Sequence, residues 1–479
     1  MSSSLAQYDF VVLGGGSAGY AAARTAISLN LKTAVIDNGE ELGGLCILRG
    51  CMPSKTLIES ANRNITLRRA QEFGLSAHPG PVDTKAIRDR KRGLIHEFAS
   101  YRQEQLESGK FTLLRGAAHF TASTATHVEL EVSLKDGSRQ TIEAKTVLIS
   151  TGSVINVPNV PGLKEAGFWT SDTLLDAEVV PDSFVVLGGG AIALEMAHYL
   201  EGIGRRTTVV QRSPHVLTGM DHDLADVVRD ALEHRGIRVS CGTSLQKVEK
   251  TAEGLKRVHF RHGETETFVE GAEILAAMGR RPAIESLDLA TVGVEHAKSG
   301  QVVVQDTMQT TQPRIFAAGD VSGPLEVVHL AIQQGETAAR NAASLIQGKA
   351  LEAKMDYRCK LFGVFTHPQA ASVGLSEQEA QEEGLDFLVA KYPFNDHGKS
   401  MVMGETEGFV KLIAEAQTGR LLGGSVVGPE GVELTHEIAM AMHLRATVRD
   451  VALAPHYHPT LSEIWTYPAE ELTEKIFTS

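Results

Sequence analysis

The sequence predicts an α/β protein with two parallel-sheet domains and a separate α+β domain at its C-terminal end. A short apolar strand, a glycine-rich turn and an Ala-rich helix follow one another over residues 10–29. The same order returns over residues 184–202. After residue 355 the pattern changes to alternating strands with a late helix at residues 433–444. Strands that alternate with helices are typical of parallel sheets, whereas a run of strands is typical of a distinct domain.

The first turn carries the spacing G-x-G-x-x-G at Gly14, Gly16 and Gly19, directly after the strand at residues 10–13. A second strand ends at Asp37, about 20 residues beyond the glycines. Glycines in this context let the backbone approach a pyrophosphate at a helix N-terminus, and an acid at this spacing binds a ribose hydroxyl. The pattern predicts a Rossmann-type dinucleotide-binding unit.

The second turn carries Gly188 and Gly190, with Ala193 at the third position. A tight turn in any parallel sheet could produce one such pattern, but two in the same strand–turn–helix context predict two nucleotide ligands. The next strand is followed by Gln211 and Arg212. NAD-binding units place an acid there, whereas an arginine favours the 2′-phosphate of NADPH by bidentate contact. We therefore expect NADPH, with NADH as the alternative.

Two breaks divide the chain. Residues 154–163 contain two prolines and a glycine and are typical of a linker, and a second break lies at residues 279–282. These breaks and the change of pattern after residue 355 predict four segments: residues 1–155, 156–280, 281–355 and 356–479.

Cys46 and Cys51 are the only closely spaced cysteines, and four cysteines in 479 residues are too few for a disulfide framework. Residues five apart lie on different faces of a helix, so a disulfide between them needs a distorted backbone, for which Gly50 supplies freedom. A zinc site would need a second pair or histidines downstream, and Cys241 and Cys359 do not form such a pair. The spacing favours a redox pair over a metal half-site or two unrelated thiols, and we expect no metal site.

Composition restricts the partners. The net charge of −13 argues against nucleic acid and anionic membranes as partners. No stretch approaches the ~18 consecutive apolar residues of a transmembrane helix. The start, MSSSLAQYDF, lacks the basic and apolar regions of a signal peptide. We expect a cytoplasmic protein without nucleic-acid or membrane partners.

Five segments in the same order resemble the class I pyridine nucleotide-disulfide oxidoreductases, which include dihydrolipoamide dehydrogenase, glutathione reductase and mercuric reductase. They are the two glycine turns, the cysteine segment at residues 43–55, Ala318-Gly319-Asp320, and residues 458–463. The resemblance covers essentially the whole chain. It implies an FAD-binding domain in two parts (1–155 and 281–355), an NAD(P)-binding domain (156–280) and a dimerisation domain (356–479).

The resemblance also implies roles for four residues around the flavin. Cys46 would be the interchange thiol that meets the substrate, and Cys51 would lie against the flavin. Lys55 would lie near flavin N5 and pair with Glu195 of the NAD(P)-binding domain. A buried lysine needs a charge partner, and a cation near the flavin would stabilise the Cys51 thiolate.

The C-terminal segment resembles the family's acid–base signature. His458 would be the proton donor and acceptor, with Glu463 as the carboxylate that orients it. Thiol–disulfide exchange needs a base for the thiol proton and an acid for the departing sulfur, and histidine titrates in the right range. In the family this histidine reaches the active site of the other subunit, which implies a homodimer with shared active sites. His456 has no assigned role.

The resemblance implies further cofactor contacts. Asp37 would bind the adenosine ribose and Asp320 the ribityl or pyrophosphate part of FAD. The complete set of expected cofactor-binding residues is Gly14, Gly16, Gly19, Asp37, Gly44, Lys55, Gly152, Asp320, Gly188, Gly190, Ala193, Arg212 and Gly279.

The expected function is FAD-dependent transfer of electrons from NAD(P)H to the Cys46–Cys51 disulfide and on to a small disulfide. Two departures leave the acceptor open. The segment at residues 47–49 differs from the family's common sequence, and residues 470–479 lack the cysteine pair of mercuric reductase. The alternatives are a flavin-dependent quinone or metal-ion reductase and a redox-sensing flavoprotein without turnover.

Overall fold

A computed structural model describes residues 6–477 and divides into two compact units. The first unit comprises Met1–Pro53, Asp89–Asn156 and Gly279–Asp356. The second comprises Ser54–Arg88, Val157–Met278 and Tyr357–Ser479. The expectation about a signal peptide rests on residues 1–10. Of these, residues 1–5 lie outside the described residues.

The strands of the described residues are β1 (Ala6–Leu13), β2 (Thr33–Asp37), β3 (Thr112–Ser123), β4 (Val128–Leu134), β5 (Arg139–Ile149), β6 (Ser153–Ile155), β7 (Ser183–Leu187), β8 (Arg206–Val210), β9 (Arg238–Ser240), β10 (Thr243–Lys250), β11 (Lys256–His262), β12 (Thr265–Gly271), β13 (Glu273–Ala276), β14 (Arg280–Pro282), β15 (Ile315–Ala317), β16 (Leu361–Val364), β17 (Gln369–Gly374), β18 (Phe387–Pro393), β19 (Phe409–Glu415) and β20 (Leu421–Gly428).

The α-helices of the same residues are α1 (Ser17–Ser28), α2 (Gly44–Arg49), α3 (Cys51–Arg68), α4 (Thr84–Leu106), α5 (Leu163–Ala166), α6 (Ser171–Asp176), α7 (Ala191–Gly202), α8 (His222–His234), α9 (Leu289–Val292), α10 (Val328–Ile346), α11 (Glu377–Glu382), α12 (Gly398–Met403), α13 (Gly431–His443), α14 (Val448–Leu453) and α15 (Thr466–Phe477).

The first unit is built on a parallel sheet in the order β3-β2-β1-β5-β15. β3 and β5 continue beyond this sheet, where β4 pairs antiparallel with both. The central strand β1 is apolar and fully buried from Phe10 to Val12 because helices and strands cover both of its faces. Gly335 of α10 packs so tightly on α1 that a Cβ there would lie 2.2 Å from the Ala18 carbonyl oxygen. Because β1 and β15 both run parallel to β5, their carboxyl ends lie at the same edge of the sheet.

The second unit holds a parallel sheet, β13-β7-β8-β9, and two antiparallel sheets, β10-β11-β12 and β16-β17-β20-β19-β18. Nearly every residue of α7 is buried, so this helix lies in the core rather than on its surface. Trp465 and Ile438 fill the core that α13 and α15 make with the last sheet. Two parallel nucleotide-type sheets and a C-terminal α+β region confirm the fold class expected from the sequence.

Several local expectations are wrong in detail. The charged sequence of residues 60–115 looks helical, but residues 74–83 contain no helix and β3 already begins at Thr112. The strand β6 overlaps the start of the linker at 154–163, and it pairs with β14, which lies in the break at 279–282. Short segments with prolines lack a clear period, so their pairing depends on the partner strand and not on local pattern. The sequence Lys135-Asp136-Gly137-Ser138 is typical of a hairpin turn, and this turn is present between β4 and β5.

Along residues 6–477, no helix has both the length and the apolar character that crossing a bilayer would require.

Lys411 is a buried cation held by three carboxylates in the second unit. Its Nζ lies 2.7 Å from Asp221 Oδ2, 2.7 Å from Glu377 Oε1 and 3.0 Å from Asp223 Oδ1. Burial alone would lower the pKa of Lys411, but these carboxylates raise it above its usual value. Lys391, which also pairs with Asp223, is nearly half exposed. The cluster joins β19 to the starts of α8 and α11.

We expect Lys411→Met to lower the free energy of unfolding by about 3 kcal/mol, because three carboxylates would lose their buried partner. Lys391→Met is the matched control, with an expected loss below about 1 kcal/mol since its ammonium group is exposed. Urea midpoints at one fixed protein concentration measure both values. Equal urea midpoints for the two variants would show that burial of Lys411 does not increase its contribution to the free energy of unfolding.

The same cluster predicts a pH dependence. Burial would raise the pKa of Asp223, but hydrogen bonds from Lys391 and Lys411 hold it below its usual value. A depressed carboxyl pKa contributes stability that is complete above the unfolded-state value of about 3.9 and is lost as the pH falls through the folded-state value. Urea midpoints of wild type should therefore fall below about pH 4, and Lys411→Met should flatten this fall.

Candidate active site

The cysteine pair lies where the chain of the first unit passes from a glycine turn into two successive helices. Gly43 and Gly44 have φ of 148° and 74°, a region that favours glycine. Cys46 is half-buried within α2, and Cys51 is the exposed first residue of α3. Gly50 separates the two helices, and a Cβ there would lie only 3.1 Å from Cys46 Cα. The helical backbone is thus interrupted between Cys46 and Cys51, as a disulfide between residues five apart would require.

Helix α2 begins directly against the first glycine turn. A Cβ on Gly44 would lie 2.6 Å from Gly16 Cα, a distance that real Cβ atoms do not show. Only two glycines allow these two backbone segments to approach so closely. Cys46 therefore lies two residues from the contact between the cysteine segment and the start of α1.

The first glycine turn is equally tight. Gly14 has a φ of 101°, and a Cβ there would lie 2.5 Å from the Ser150 carbonyl oxygen. A Cβ on Gly19 would lie 1.8 Å from the Gly14 carbonyl oxygen. The Ser150 hydroxyl donates to the carbonyl oxygens of Leu13 and Gly14. Helix α1 starts at Gly16 without a side-chain cap, so its first N–H groups point from an uncapped helix terminus.

Asp37 is the last residue of β2, and its carboxylate is hydrogen-bonded to this turn. Its Oδ2 accepts a hydrogen bond from the Gly15 N–H at 2.8 Å, and its Oδ1 accepts one from the Gly39 N–H at 2.8 Å. The carboxylate expected to bind a ribose is therefore held in place by backbone donors.

Asp320 follows β15 at the same edge of the sheet. Its Oδ2 accepts a hydrogen bond from the Ser153 hydroxyl at 2.6 Å. Arg280 donates to the Ser153 hydroxyl at 2.8 Å and to the Ser153 carbonyl oxygen at 2.7 Å. Burial and the nearby Asp320 charge raise the pKa of Glu326, while Arg280 lowers it. Ser153 and Arg280 thus position the Asp320 carboxylate.

Two of the expected glycines create this arrangement. Gly152 and Gly279 have φ of 70° and 102°, and each directly precedes one strand of the β6–β14 pair. Their turns bring Ser153 and Arg280 onto neighbouring strands. A role for both glycines in shaping the backbone is therefore clear from the fold.

Lys55 and Glu195 form a close ion pair within the second unit. Lys55 Nζ lies 3.0 Å from Glu195 Oε1 and 2.8 Å from Oε2. The Phe365 N–H donates to Glu195 Oε1 at 3.0 Å, and the Phe365 ring centroid lies 4.6 Å from Lys55 Nζ. The Glu195 side chain is only 5% exposed, so its charge needs these partners. The structure thus brings together the pair expected from the sequence.

The second glycine turn repeats the geometry of the first. Gly188 has a φ of 119°, and a Cβ there would lie 2.2 Å from the Ala277 carbonyl oxygen. Gly190 precedes α7 without a side-chain cap, and a Cβ there would meet nothing within 4 Å. Ala193 is fully buried against the sheet. The turn therefore leaves room at the N-terminus of α7.

Arg212 lies just beyond the carboxyl end of β8, beside this turn. Its backbone N–H donates to Gln211 Oε1 at 3.1 Å, and a Cβ on Gly189 would lie 2.9 Å from the Gln211 side chain. The Arg212 side chain is exposed, and no carboxylate of residues 6–477 lies within ion-pair distance of it. An exposed arginine therefore follows Gln211, whose side chain packs on the second glycine turn.

His458 and Glu463 also form a close pair. His458 Nδ1 lies 3.0 Å from Glu463 Oε2 and 3.2 Å from Oε1. A carboxylate only accepts, so Nδ1 carries the proton and Nε2 is left for proton transfer. The His458 side chain is 78% exposed, whereas Glu463 is 11% exposed. The buried Glu463 thus orients the His458 imidazole, and the ring itself is exposed to solvent.

A second histidine lies close to Glu463 without a hydrogen bond to it. His397 is fully buried, with Nε2 3.4 Å from Glu463 Oε1 and Nδ1 2.8 Å from the Ser400 hydroxyl. Burial lowers the pKa of His397, and the His458 charge lowers it further, although Glu463 raises it. The buried His397 ring therefore lies beside the carboxylate that orients His458, and its Nε2 has no hydrogen-bond partner among residues 6–477.

His456 has a different setting. Its Nε2 lies 2.6 Å from Glu437 Oε1, and its Nδ1 lies 2.9 Å from the Ala454 carbonyl oxygen. Both ring nitrogens are engaged, and the side chain is buried. This histidine holds the C-terminal loop on α13.

Four residues of the site were not found from the sequence: Ser153, Arg280, Phe365 and His397. Arg280 directly follows Gly279, and a polar side chain beside an expected cofactor glycine could have drawn attention to it. Phe365 and His397 act across large sequence separations, and no motif in the sequence marks them.

One group of ligand-type side chains among residues 6–477 lies close enough to share an ion. His127 Nε2 lies 3.3 Å from Glu129 Oε1 and 3.8 Å from Glu143 Oε1. Gln7 donates to Glu143, and Thr124 contacts the other nitrogen of His127. We assign no ion to this group, because the protein itself already supplies hydrogen-bond partners.

Comparison with known proteins adds to this geometry. A sequence model of the family described as "Pyridine nucleotide-disulphide oxidoreductase" matches residues 8–335. A second, described as "Pyridine nucleotide-disulphide oxidoreductase, dimerisation domain", matches residues 362–469.

Individual proteins are similar over nearly the whole chain. A dihydrolipoyl dehydrogenase of Thermus scotoductus is 35% identical over 468 residues, which cover 97% of each chain. A mercuric reductase of Bacillus cereus is 32% identical over 94% of this chain and 69% of its own. The crystal structure of LpdA from Mycobacterium tuberculosis superposes with a TM-score of 0.85 at 28% identity, covering 98% of this chain and 100% of that one.

Proposed function

This chain belongs to the pyridine nucleotide-disulphide oxidoreductase family, and we propose that Cys46 and Cys51 form its redox-active pair. The enzyme is an FAD-dependent flavoprotein disulfide oxidoreductase that uses NAD(P)H and is similar to dihydrolipoyl dehydrogenase. The observation that carries the proposal is the approach of Gly44 to Gly16, which seats the cysteine segment on the first nucleotide turn.

The residues present fit two dinucleotides. Helices α1 and α7 both start at glycines without side-chain caps, and such termini bind phosphate through N–H groups and the helix dipole. The Gly14 and Gly188 turns tolerate no Cβ, which keeps backbone at both sites accessible. Asp37 and Asp320 would hold hydroxyl groups of FAD, and Arg212 would bind the nicotinamide dinucleotide. The bound cofactors supply two electrons as a hydride equivalent to the protein disulfide.

The chain's own residues then carry out exchange. The Cys46 thiolate attacks one sulfur of the acceptor, the acceptor S–S bond breaks, and His458 protonates the departing sulfur. The Cys51 thiolate next attacks Cys46, which releases the second thiol and restores the protein disulfide. Glu463 keeps the His458 ring in the tautomer that this proton transfer needs.

Lys55 and Glu195 would compensate charge beside the flavin. Glu195 holds the ammonium group with both oxygens, and the Phe365 N–H holds Glu195 in turn. A fixed cation stabilises the thiolate that forms when the pair is reduced.

The dimerisation domain indicates a homodimer, and we propose that His458 serves the Cys46 of the partner subunit. The outward presentation of His458 supports this, as do large exposed apolar side chains of the same domain. They are Met401, Val402, Met440, Leu444, Leu453 and Tyr457.

NADPH is the proposed electron donor, because Arg212 follows β8 where NAD-binding units carry an acid, and no carboxylate of residues 6–477 lies within ion-pair distance of it. We expect Arg212→Ala to reduce kcat/KM for NADPH about tenfold or more with little effect on NADH. Arg206→Ala, at the opposite end of β8, is the matched control and should leave the ratio unchanged. Steady-state rates with NADPH and with NADH give the ratio of the two kcat/KM values for wild type and both variants. A wild-type preference for NADH would contradict the proposal.

The acceptor is proposed to be a small disulfide. Rates of NADPH and NADH oxidation with lipoamide, oxidised glutathione, a quinone and Hg²⁺ in parallel test this directly. Turnover confined to the quinone or to the metal ion would contradict the proposal. It would favour a flavin-dependent reductase of those acceptors.

A further inference from the structure

Arg102 of α4 lies beside Tyr20 of α1, near the first glycine turn. Leu106, one helical turn further on, is fully buried, and a Cβ on Gly15 would lie 3.5 Å from its methyl carbon. The guanidinium carbon of Arg102 lies 4.1 Å from the centroid of the Tyr20 ring. Tyr20 belongs to the first turn of α1, where its N–H donates to the Gly16 carbonyl oxygen. The arginine is therefore fixed over the start of α1.

The cysteine segment meets the same place. Gly44 packs on Gly16, and Cys46 follows two residues later in α2. Burial lowers the pKa of Arg102, whereas charge on Tyr20 and on Cys46 would raise it. Arg102, through Tyr20, and the cysteine segment, through Gly44, therefore both lie beside the start of α1.

Within the part of the chain that the structure describes, the cation of Arg102 has no carboxylate partner. Its Nε is buried without a hydrogen-bond partner, and no carboxylate of the described residues lies within ion-pair distance. Arg24, the other charged neighbour, is a second cation, although Glu336 lies 3.6 Å from it. A half-buried cation in this setting stabilises an incoming anion.

We propose that Arg102 selects the acceptor, so that the disulfide reduced at Cys46 carries a carboxylate or phosphate group close to its sulfur atoms. The inference rests on the proposed disulfide reductase function. The reaction is unchanged: the acceptor S–S bond breaks as the Cys46–sulfur bond forms, and His458 protonates the departing thiolate. Two electrons come from the nicotinamide. Arg102 adds a charge-assisted hydrogen bond to the anionic group while the sulfur is attacked.

The overall charge makes such a residue useful. The chain carries a net charge of −13, which repels anionic acceptors at long range. A fixed cation beside the redox thiol offsets this repulsion where the acceptor binds and gives selectivity over neutral disulfides.

The test compares two disulfides of similar length, dianionic dithiodipropionate and neutral hydroxyethyl disulfide, on the FAD-loaded enzyme. We expect wild type to favour the dianion in kcat/KM, and Arg102→Gln to lower this ratio about tenfold or more. Arg102→Lys keeps the positive charge and should retain a preference for the dianion. Arg139→Gln makes the same charge change on an exposed site of β5 and should leave the ratio as in wild type.

The outcomes separate the inference from the function beneath it. If wild type reduces both disulfides without preference, or if Arg102→Gln slows both equally, selection by Arg102 is wrong while the reductase function stands. If wild type reduces neither disulfide, nor lipoamide or oxidised glutathione, the proposed function itself fails and the inference falls with it.

Discussion

Replacing Cys46 by serine is expected to lower kcat with a disulfide acceptor by about 10³-fold or more. A serine hydroxyl does not ionise near neutral pH, so the nucleophile for the acceptor disulfide is lost. Cys241→Ser is the matched control, because Cys241 is also half-buried but lies in the other compact unit. We expect the control to retain wild-type turnover.

The same variant separates the competing functions. Reduction of a quinone by NAD(P)H needs the flavin and not the sulfur pair, so Cys46→Ser should retain it. If Cys46→Ser still reduces disulfides at the wild-type rate, the redox pair has been assigned to the wrong residues. If wild type reduces no acceptor at all, the chain is a sensor without turnover.

Replacing His458 by glutamine is expected to lower kcat with a disulfide acceptor by about 10²–10⁴-fold, the usual contribution of a positioned acid–base group. Glutamine keeps a polar side chain but cannot shuttle a proton. His456→Gln is the control, since His456 also pairs with a glutamate but has both ring nitrogens engaged. A loss in the control as large as in His458→Gln would contradict the assignment of the base.

A mixed dimer tests whether the site is shared. A Cys46→Ser subunit paired with a His458→Gln subunit has one intact site if His458 serves the partner, because the intact cysteine then meets the intact histidine. The heterodimer should show about half of the wild-type activity per dimer, although both parent homodimers are inactive. An inactive heterodimer would place His458 and Cys46 of one site in the same subunit.

His397 is a residue beside the site that the sequence does not predict. The motif around His458 and Glu463 is local, since the two residues are five apart, and it could be found in the printed sequence. His397 comes from a 3₁₀ turn before α12 and reaches Glu463 only because the last domain folds back on itself. No periodicity or spacing predicts that contact.

The Asp320 region shows the same division. Its acid was expected from Ala318-Gly319-Asp320, whereas Ser153 directly precedes the segment interpreted as a linker and Arg280 lies in the one interpreted as a break. Their three-residue strands form only because each is the other's partner, so neither has a local signature.

By itself, the sequence determined the two nucleotide-type units, the cysteine segment and the histidine–glutamate pair. The reason is physical: turns that need positive φ, uncapped helix starts and closely spaced reactive groups depend on neighbouring residues. Only the tertiary structure decided which distant groups restrain them, such as the Phe365 N–H on Glu195, 170 residues away, and Arg280 on Ser153, 127 residues away. These contacts depend on how sheets and helices pack, and packing is a property of the whole chain rather than of any segment.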